Sequence, residues 1–464
     1  MADEFDQTTE ERDRQEAYNA IPVISFEEMM AVFNKWLLIK DEGVVKVMIA
    51  TVVANLMNSD PVWLFLLAES GGGKTEIMNS LLKLPQYYPL SQLTANTFLS
   101  GYKSKTKEAS LLKRLAPNTT IGFKDFTSIL DGNNDEMKAI MGQFRDIYDG
   151  YLVKVTGTGD EIYWKGKIGF IAGCTPMLEQ RIKTIGAMGE RFLNYNIKQP
   201  KRKEVKARMR QNVGKELQMR EELQDAVVGY MKGVIIPDKD NMPALPPEVD
   251  DMIDSLADFI AVSRTVVFRS SDTKKELEYI GKSEMSTRTW KQLYTMGLSL
   301  YIMNGLKWTD RDSNILRRLA ISSVHSIRYT LICKIGQYKT QVKTTTMAIE
   351  IGYPTSTTRR YLEDLAAISM DDGEVRILNR TYQGVGKPDL WEITPAMKEI
   401  LVLMGDAQEA VKSDKGLQDD EKEIPVGVAS EEMEVRPITS EDEAKIKNIT
   451  GDLTEEELKQ AGLI

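Results

Sequence analysis

The sequence predicts an α/β protein built on a parallel sheet, with a helical region and a helix-turn-helix behind it, and three observations carry that prediction. A five-residue apolar run, Trp63 to Leu67, stops at three glycines followed by Lys74 and Thr75. From there to about residue 200, apolar strand-like runs (Trp63 to Leu67, Thr120 to Phe123, Ile168 to Ala172) alternate with helical stretches, the order that folds as parallel strands joined by helices. Residues 201–335 then lack strand alternation, and 336–402 carry helices followed by two short β-branched runs. The expected division is an acidic end (1–24), the α/β domain with its leading helices (25–200), a helical lid (201–335), a winged-helix region (336–402) and an acidic tail (403–464).

A chain of 464 residues with 42% hydrophobic content is long enough for several cores. No basic, apolar leader opens it, and its most apolar helix candidate, Val44 to Met57, is interrupted by Lys46 and Asn55, so a cytoplasmic protein without a membrane span is expected. Two cysteines, Cys174 and Cys333, and the single His325 exclude a disulfide framework, a zinc cluster and catalysis built on histidine. The net charge of −9 is unevenly spread: residues 401–464 hold 17 acidic and 7 basic side chains and residues 1–19 hold 7 and 2, which leaves the middle at about +6. Both ends are polar and poor in aromatics, which predicts disorder, with Thr454 to Leu463 able to fold as a short helix on a protein partner.

The elements follow in order. Ser25 and Glu28 form a capping box that opens a helix through about Leu38, and a second helix covers Val44 to Met57. The strand Trp63 to Leu67 then feeds Ala68-Glu69-Ser70-Gly71-Gly72-Gly73-Lys74-Thr75-Glu76. Consecutive glycines let backbone N–H groups converge on an anion, Lys74 reaches β- and γ-phosphates, and the Thr75 hydroxyl ligates magnesium. Ala68 stands where the usual pattern has its first glycine. ATP with Mg²⁺ is the expected cofactor, and Thr75 to Leu84 the following helix, stopped by Pro85.

A second strand, in Ile121 to Phe126, delivers Asp125 at its carboxyl end, where a carboxylate holds magnesium. Many such ATPases follow this aspartate with a glutamate that polarises water, whereas this chain has Phe126. The base is therefore open: Glu69 in the glycine loop is the leading candidate and Glu136 the second, and Glu69 also reads as a solvated loop residue. A helix, Asn134 to Tyr148, precedes a β-hairpin signal over Tyr151 to Gly169, centred on Thr156-Gly157-Thr158-Gly159-Asp160. The next strand ends in Gly173-Cys174-Thr175-Pro176, where Thr175 is positioned to donate to a γ-phosphate or water. Gly189-Glu190-Arg191-Phe192 presents an arginine downstream.

This order of parts resembles the AAA+ ATPases, in particular the branch with a β-hairpin before sensor 1 that includes the minichromosome-maintenance helicases and the sigma-54 activators. The resemblance covers about residues 44–335. It implies sensor 1 at Thr175, a trans-acting arginine finger at Arg191, and sensor 2 at Arg288 within Ser286 to Leu293. It also implies a closed ring, a hexamer, because a guanidinium delivered by a neighbour contributes most to γ-phosphate charge. In the resembled helicases the hairpin enters the channel, where Lys154, Lys165 and Lys167 would hold a single strand's backbone, or would merely solubilise the hairpin. The basic segment Lys198 to Arg210 either extends that footprint or forms a charged surface helix.

At the C-terminal end, Thr344 to Ile351, the turn Gly352-Tyr353-Pro354 and Thr355 to Ala367 read as a helix-turn-helix. Thr358, Leu362 and Leu365 face inward on the second helix and Ser356, Thr357, Arg359, Arg360 and Glu363 outward. Glu374 to Leu378 and Leu390 to Ile393 flank a wing-like interval with Arg380, Gly384, Gly386 and Lys387. Contacts to duplex DNA are expected from Thr357, Arg359, Arg360, Arg380 and Lys387, and protein docking is the alternative. The expectation is a ring-forming ATPase that moves on or remodels DNA, a replicative-type helicase or initiator suited to a phage or mobile element. The rivals are a DNA-bound transcriptional regulator with an ATP-dependent switch and a loader for another helicase, with the winged helix as docking surface and the acidic tail as recruiting arm.

Overall fold

A computed structural model describes residues 16–102, 108–132, 134–157, 159–181, 191–270, 276–280, 283, 285–370, 375–384 and 387–404. The acidic ends at 1–15 and 405–464, including Thr454 to Leu463, lie outside the described residues, as do Thr158, Gly189, Glu190, Glu374 and Gly386. All described residues belong to one compact unit.

Helix α1 (Phe26–Trp36) starts at the expected capping box, with Glu28 N–H on Ser25 Oγ at 3.1 Å and Ser25 N–H on Glu28 Oε2 at 2.7 Å. Helix α2 (Glu42–Leu56) is buried continuously from Val44 to Asn55, so its polar residues need internal partners. Lys46 Nζ donates to Asp312 Oδ1 at 2.8 Å, while Asn55 accepts from Val62 N–H and donates to Val62 C=O. The two residues that interrupt the apolar run are thus satisfied inside the fold. No helix among the described residues is long and apolar enough to cross a membrane.

The α/β region continues with β1 (Trp63–Leu67), α3 (Lys74–Asn79), β2 (Tyr87–Leu90), α4 (Leu111–Arg114), β3 (Thr120–Phe123), α5 (Thr127–Leu130), α6 (Asn134–Tyr148), β4 (Tyr151–Val155), β5 (Glu161–Lys165), β6 (Gly169–Cys174) and β7 (Phe192–Asn196). Five strands form a parallel sheet in the order β2-β3-β6-β1-β7, and β4 pairs β5 as a separate hairpin. Alternate residues of β1 enter two different cores: Trp63, Phe65 and Leu67 pack with Phe144 of α6, and Leu64 and Leu66 with α2. Burial on both faces explains why the central strands read as unbroken apolar runs. The strands not expected from sequence, β2 and β7, are the two edges, and β2 carries Pro89, which an edge tolerates. The helix after the glycine loop stops at Asn79, short of the expected Leu84.

The helical region comprises α7 (Arg202–Asn212), α8 (Glu216–Gly233), α9 (Pro247–Ser263), the strands β8 (Val267–Arg269) and β9 (Leu277–Ile280), α10 (Thr287–Met303), α11 (Asp310–Ser322) and α12 (Ser326–Gly336). The β8–β9 hairpin was not expected there. Next come β10 (Val342–Lys343), α13 (Thr344–Ile351), α14 (Thr355–Ala367), β11 (Ser369–Met370), β12 (Val375–Arg376), β13 (Leu378–Thr381), β14 (Leu390–Ile393) and α15 (Pro395–Leu403), with the sheet order β10-β14-β13. Thr358, Leu362 and Leu365 of α14 are buried. One continuous apolar cluster runs from Met29 through α2 and the helical region to Leu362, Trp391 and Met397, so this C-terminal part is packed into the body.

Candidate functional site

Because β6 lies between β1 and β3, the residues that leave the carboxyl ends of these three strands meet at one edge of the sheet. Leu67 is in register with Cys174 and Phe123 with Ala172, which brings the glycine loop, Asp125 and Thr175 side by side. In the loop Gly71 and Gly73 hold φ of +76° and +81°, left-handed values that side chains resist. Lys74 opens α3 and turns back on its own loop: Nζ donates to Ala68 C=O and, at 3.0 Å, to Glu69 C=O. Burial lowers the Lys74 pKa, and the carboxylates of Asp125 and Glu69 oppose that shift. Thr75 is exposed, and Glu76 is gripped by Arg220 of α8 at 2.7 and 3.1 Å. Gln199 reaches Gly72 C=O at 3.4 Å.

Asp125 accepts at Oδ1 from Thr127 N–H at 3.1 Å. The Thr127 hydroxyl in turn lies 3.3 Å from Thr175 Oγ1 and accepts from Thr175 N–H at 3.2 Å. Thr127 therefore ties the aspartate to the threonine, a role that sequence reasoning missed. Close approach makes this possible: a Cβ on Gly173 would lie 2.5 Å from Lys124 C=O. Phe126 is fully buried among Phe65, Phe123, Phe144 and Phe192, so the position after Asp125 belongs to the core. The two candidate bases border separate hollows, Glu69 one of about 960 Å³ and Glu136 one of about 290 Å³. Ser70 and Thr175 line the larger one with Glu69.

Arg191 lines the far side of the same cavity, with Arg288 near it. Phe192 is in register with Trp63, so Arg191 lies at the amino edge of the sheet, a five-residue strand from the glycine loop. At roughly 3.3 Å per residue that is about 16 Å. Arg191 is 8% exposed and pairs with Asp149 at 3.0 Å within its own chain. Gln292 of α10 donates to Arg191 C=O at 2.6 Å, and Arg288, one turn earlier, bears electrostatically on Arg191 and Tyr148.

The hairpin also differs from expectation. Lys154 Nζ donates to Ala95 C=O at 3.1 Å and Leu99 C=O at 3.0 Å. Lys167 Nζ donates to Met57 C=O at 2.7 Å and Ala54 C=O at 3.2 Å, and burial pushes its pKa down to about 8. Only Lys165 stays outward, beside exposed Tyr151, Val153, Val155 and Tyr163, so the outer face is apolar and aromatic. The segment from Lys198 is divided: Arg208 of α7 donates to Asn34 C=O at 2.7 Å, and the helix buries no residue.

On the helix-turn-helix, Arg359 pairs with Glu363 at 3.1 Å and Arg380 with Asp389 at 2.9 Å, while Lys387 is exposed. Arg269 of β8 clamps α14 through Asp364 at 2.7 Å and Glu363 at 3.2 Å. Thr357 and Arg360, expected outward, line the 960 Å³ cavity whose other wall holds Glu69, Ser70 and Thr175. The α14 face is therefore split between solvent and interior. No spacing along the chain signals this, because it depends on how the C-terminal part docks. No protein family model matches this chain, and no curated protein matches it.

Proposed function

We propose that this protein is an AAA+ ATPase with a C-terminal winged helix, which works as a ring and couples ATP hydrolysis to movement on or remodelling of DNA. One observation carries the reading: the loop with Gly71 and Gly73 in left-handed conformation, closed by Lys74, lies beside the strand ends that bear Asp125 and Thr175. Ligands of open α/β sheets bind at this carboxyl edge, where neighbouring connections part. In this chain the parting falls at β1, with β6 on one side and β7 on the other.

The residues fit a nucleotide. Lys74 now rests on loop carbonyls in a partly buried site, an arrangement it would exchange for phosphate oxygens. Magnesium keeps most of its waters and needs one or two protein ligands, which Thr75 and Asp125 would provide. The bound nucleotide would supply a phosphoryl group for transfer to water. Thr127 holds Asp125 in place, and Thr175 is the donor nearest that chemistry on the β6 side. Glu69 is the leading base because it is exposed beside Ser70 and Thr175. Arg191, a strand's length from the glycine loop along the same cavity, is read as acting toward a neighbouring protomer's nucleotide because a guanidinium delivered in trans closes a ring, and Arg288 beside it as the second sensor. The exposed Tyr151, Val153, Tyr163 and Lys165 support contact with a single strand through stacking.

A helicase or initiator is the working assignment. The switch-like regulator is favoured by one feature, the buried Phe126 in place of a glutamate, and a loader remains the third reading. The deciding measurement is the ATPase rate of wild type, Lys74→Ala and Glu69→Gln, each with and without single-stranded DNA. Turnover stimulated by DNA in wild type and absent from Lys74→Ala supports the proposal. Rapid hydrolysis by Glu69→Gln would remove Glu69 as the base, and DNA binding without stimulated turnover would favour the regulator.

A further inference from the structure

The large cavity joins parts of the chain that sequence separates by almost three hundred residues: Glu69 and Ser70 of the glycine loop on one wall, Thr357 and Arg360 of α14 on another. Its volume of about 960 Å³ is at the upper end for ligand pockets. Five arginines line it against three carboxylates, Glu69, Glu179 and Asp364. Most of these charges are committed. Arg269 is held by Asp364 and Glu363, Arg328 donates to Thr265 C=O at 2.7 Å, Arg264 donates to Thr289 Oγ1 at 3.0 Å, and Arg191 pairs with Asp149. Glu179 accepts from Ser326 at 2.8 and 3.1 Å. The Arg360 guanidinium is different, since it makes no hydrogen bond or ion pair among the described residues. Its backbone is nevertheless anchored, because Arg269 donates to Arg360 C=O at 2.9 Å.

A fixed helix thus presents an uncommitted guanidinium to a cavity that opens on the loop proposed to hold phosphates. We propose that Arg360 senses the terminal phosphate of a nucleotide bound in the same chain, so that nucleotide and duplex DNA compete for α14. This rests on the nucleotide-binding reading of the glycine loop. A guanidinium favours a multiply charged, planar-faced anion, and partial enclosure strengthens the attraction. A γ-phosphate engaged by Arg360 takes the guanidinium that a DNA groove would otherwise use, whereas a diphosphate leaves it available on a helix held by its buried Thr358, Leu362 and Leu365 and by Arg269.

The test compares MgADP with a non-hydrolysable MgATP analogue, titrated calorimetrically into the full chain for wild type, Arg360→Gln and Arg360→Lys, with duplex-DNA affinity measured in each nucleotide state. Wild type is expected to prefer the triphosphate about tenfold more than Arg360→Gln does, with ADP affinity equal in the two and Arg360→Lys in between. The triphosphate is also expected to weaken duplex binding by wild type and to leave that of Arg360→Gln unchanged. Equal preference for the triphosphate in wild type and Arg360→Gln, both binding ADP normally, overturns the sensing role alone. No nucleotide binding by wild type overturns both this proposal and the reading of the loop.

Discussion

The two edges of the parallel sheet are built from different materials. At the carboxyl edge, the Thr127 backbone N–H holds the Asp125 carboxylate, the Thr127 hydroxyl meets Thr175, and Lys74 leans on backbone carbonyls. At the amino edge, Arg191 is almost enclosed, paired with Asp149 and placed against Tyr148, and Trp63 packs against Phe144, Tyr148, Phe170 and Phe192. The first edge is open and lightly tied, and its lysine is free to change partners at little cost. The second is a packed cationic corner whose rearrangement requires breaking an ion pair. The difference teaches that one strand, β1, ends in two opposite ways: an open, lightly tied carboxyl end and an enclosed, tightly packed amino end.

The sharpest break is Lys74→Ala, which is expected to abolish ATP turnover while leaving the melting temperature close to wild type, read by phosphate release and thermal denaturation. Next in size, Arg191→Ala is expected to lower turnover by about 10³-fold, the scale of an arginine finger. Mixing it with Lys74→Ala protein sharpens the point, since activity recovered in mixed rings requires that the arginine act across protomers. Unchanged activity in Arg191→Ala would assign the residue to the Asp149 ion pair alone. At the carboxyl edge, Thr127→Val keeps the side-chain shape and the N–H on Asp125 but removes the hydroxyl that meets Thr175, and is expected to slow turnover about tenfold with a loss of stability near 1 kcal/mol. A wild-type rate in that variant would show that Thr175 holds position without the hydroxyl.

The smallest effect concerns Lys167. Its pKa of about 8 in the fold lies below the ordinary lysine value, so between these two values the unfolded chain binds more protons and stability rises with pH. Chemical denaturation between pH 7.5 and 9.5 should give wild type a more positive slope than Lys167→Met. Equal slopes would mean that the Ala54 and Met57 carbonyls hold the ammonium charged throughout that range.

Much of the α/β region was legible because its signals are local. Trp63 to Leu67, the glycines and Lys74 lie within a dozen residues, and the capping box of α1 depends on two positions three apart. The central strands announced themselves through burial on both faces, while the edge strands β2 and β7, only partly covered, did not. Thr127 and Arg220 went unseen because their importance comes from contacts made after the chain has crossed the sheet or entered α8. The split face of α14 is the clearest case: helical periodicity identified Thr358, Leu362 and Leu365 as the buried side, but which of the other faces meets solvent depends on Arg269, far back in the chain. The hairpin lysines teach the same lesson, since a charged side chain near a strand reads as solvated until a carbonyl from α2 or from residue 95 takes it.

Helix α2 has one more consequence. The aspartate that neutralises Lys46 arrives 266 residues later in the chain. At roughly 5 to 20 residues per second, a nascent chain would expose this apolar rod for about 15 to 50 s before its partner leaves the ribosome. One of the two cores that flank β1 is therefore unfinished until α10 and α11 arrive, and a fragment ending near residue 200 should be captured by chaperones or precipitate, whereas the whole polypeptide covers the rod.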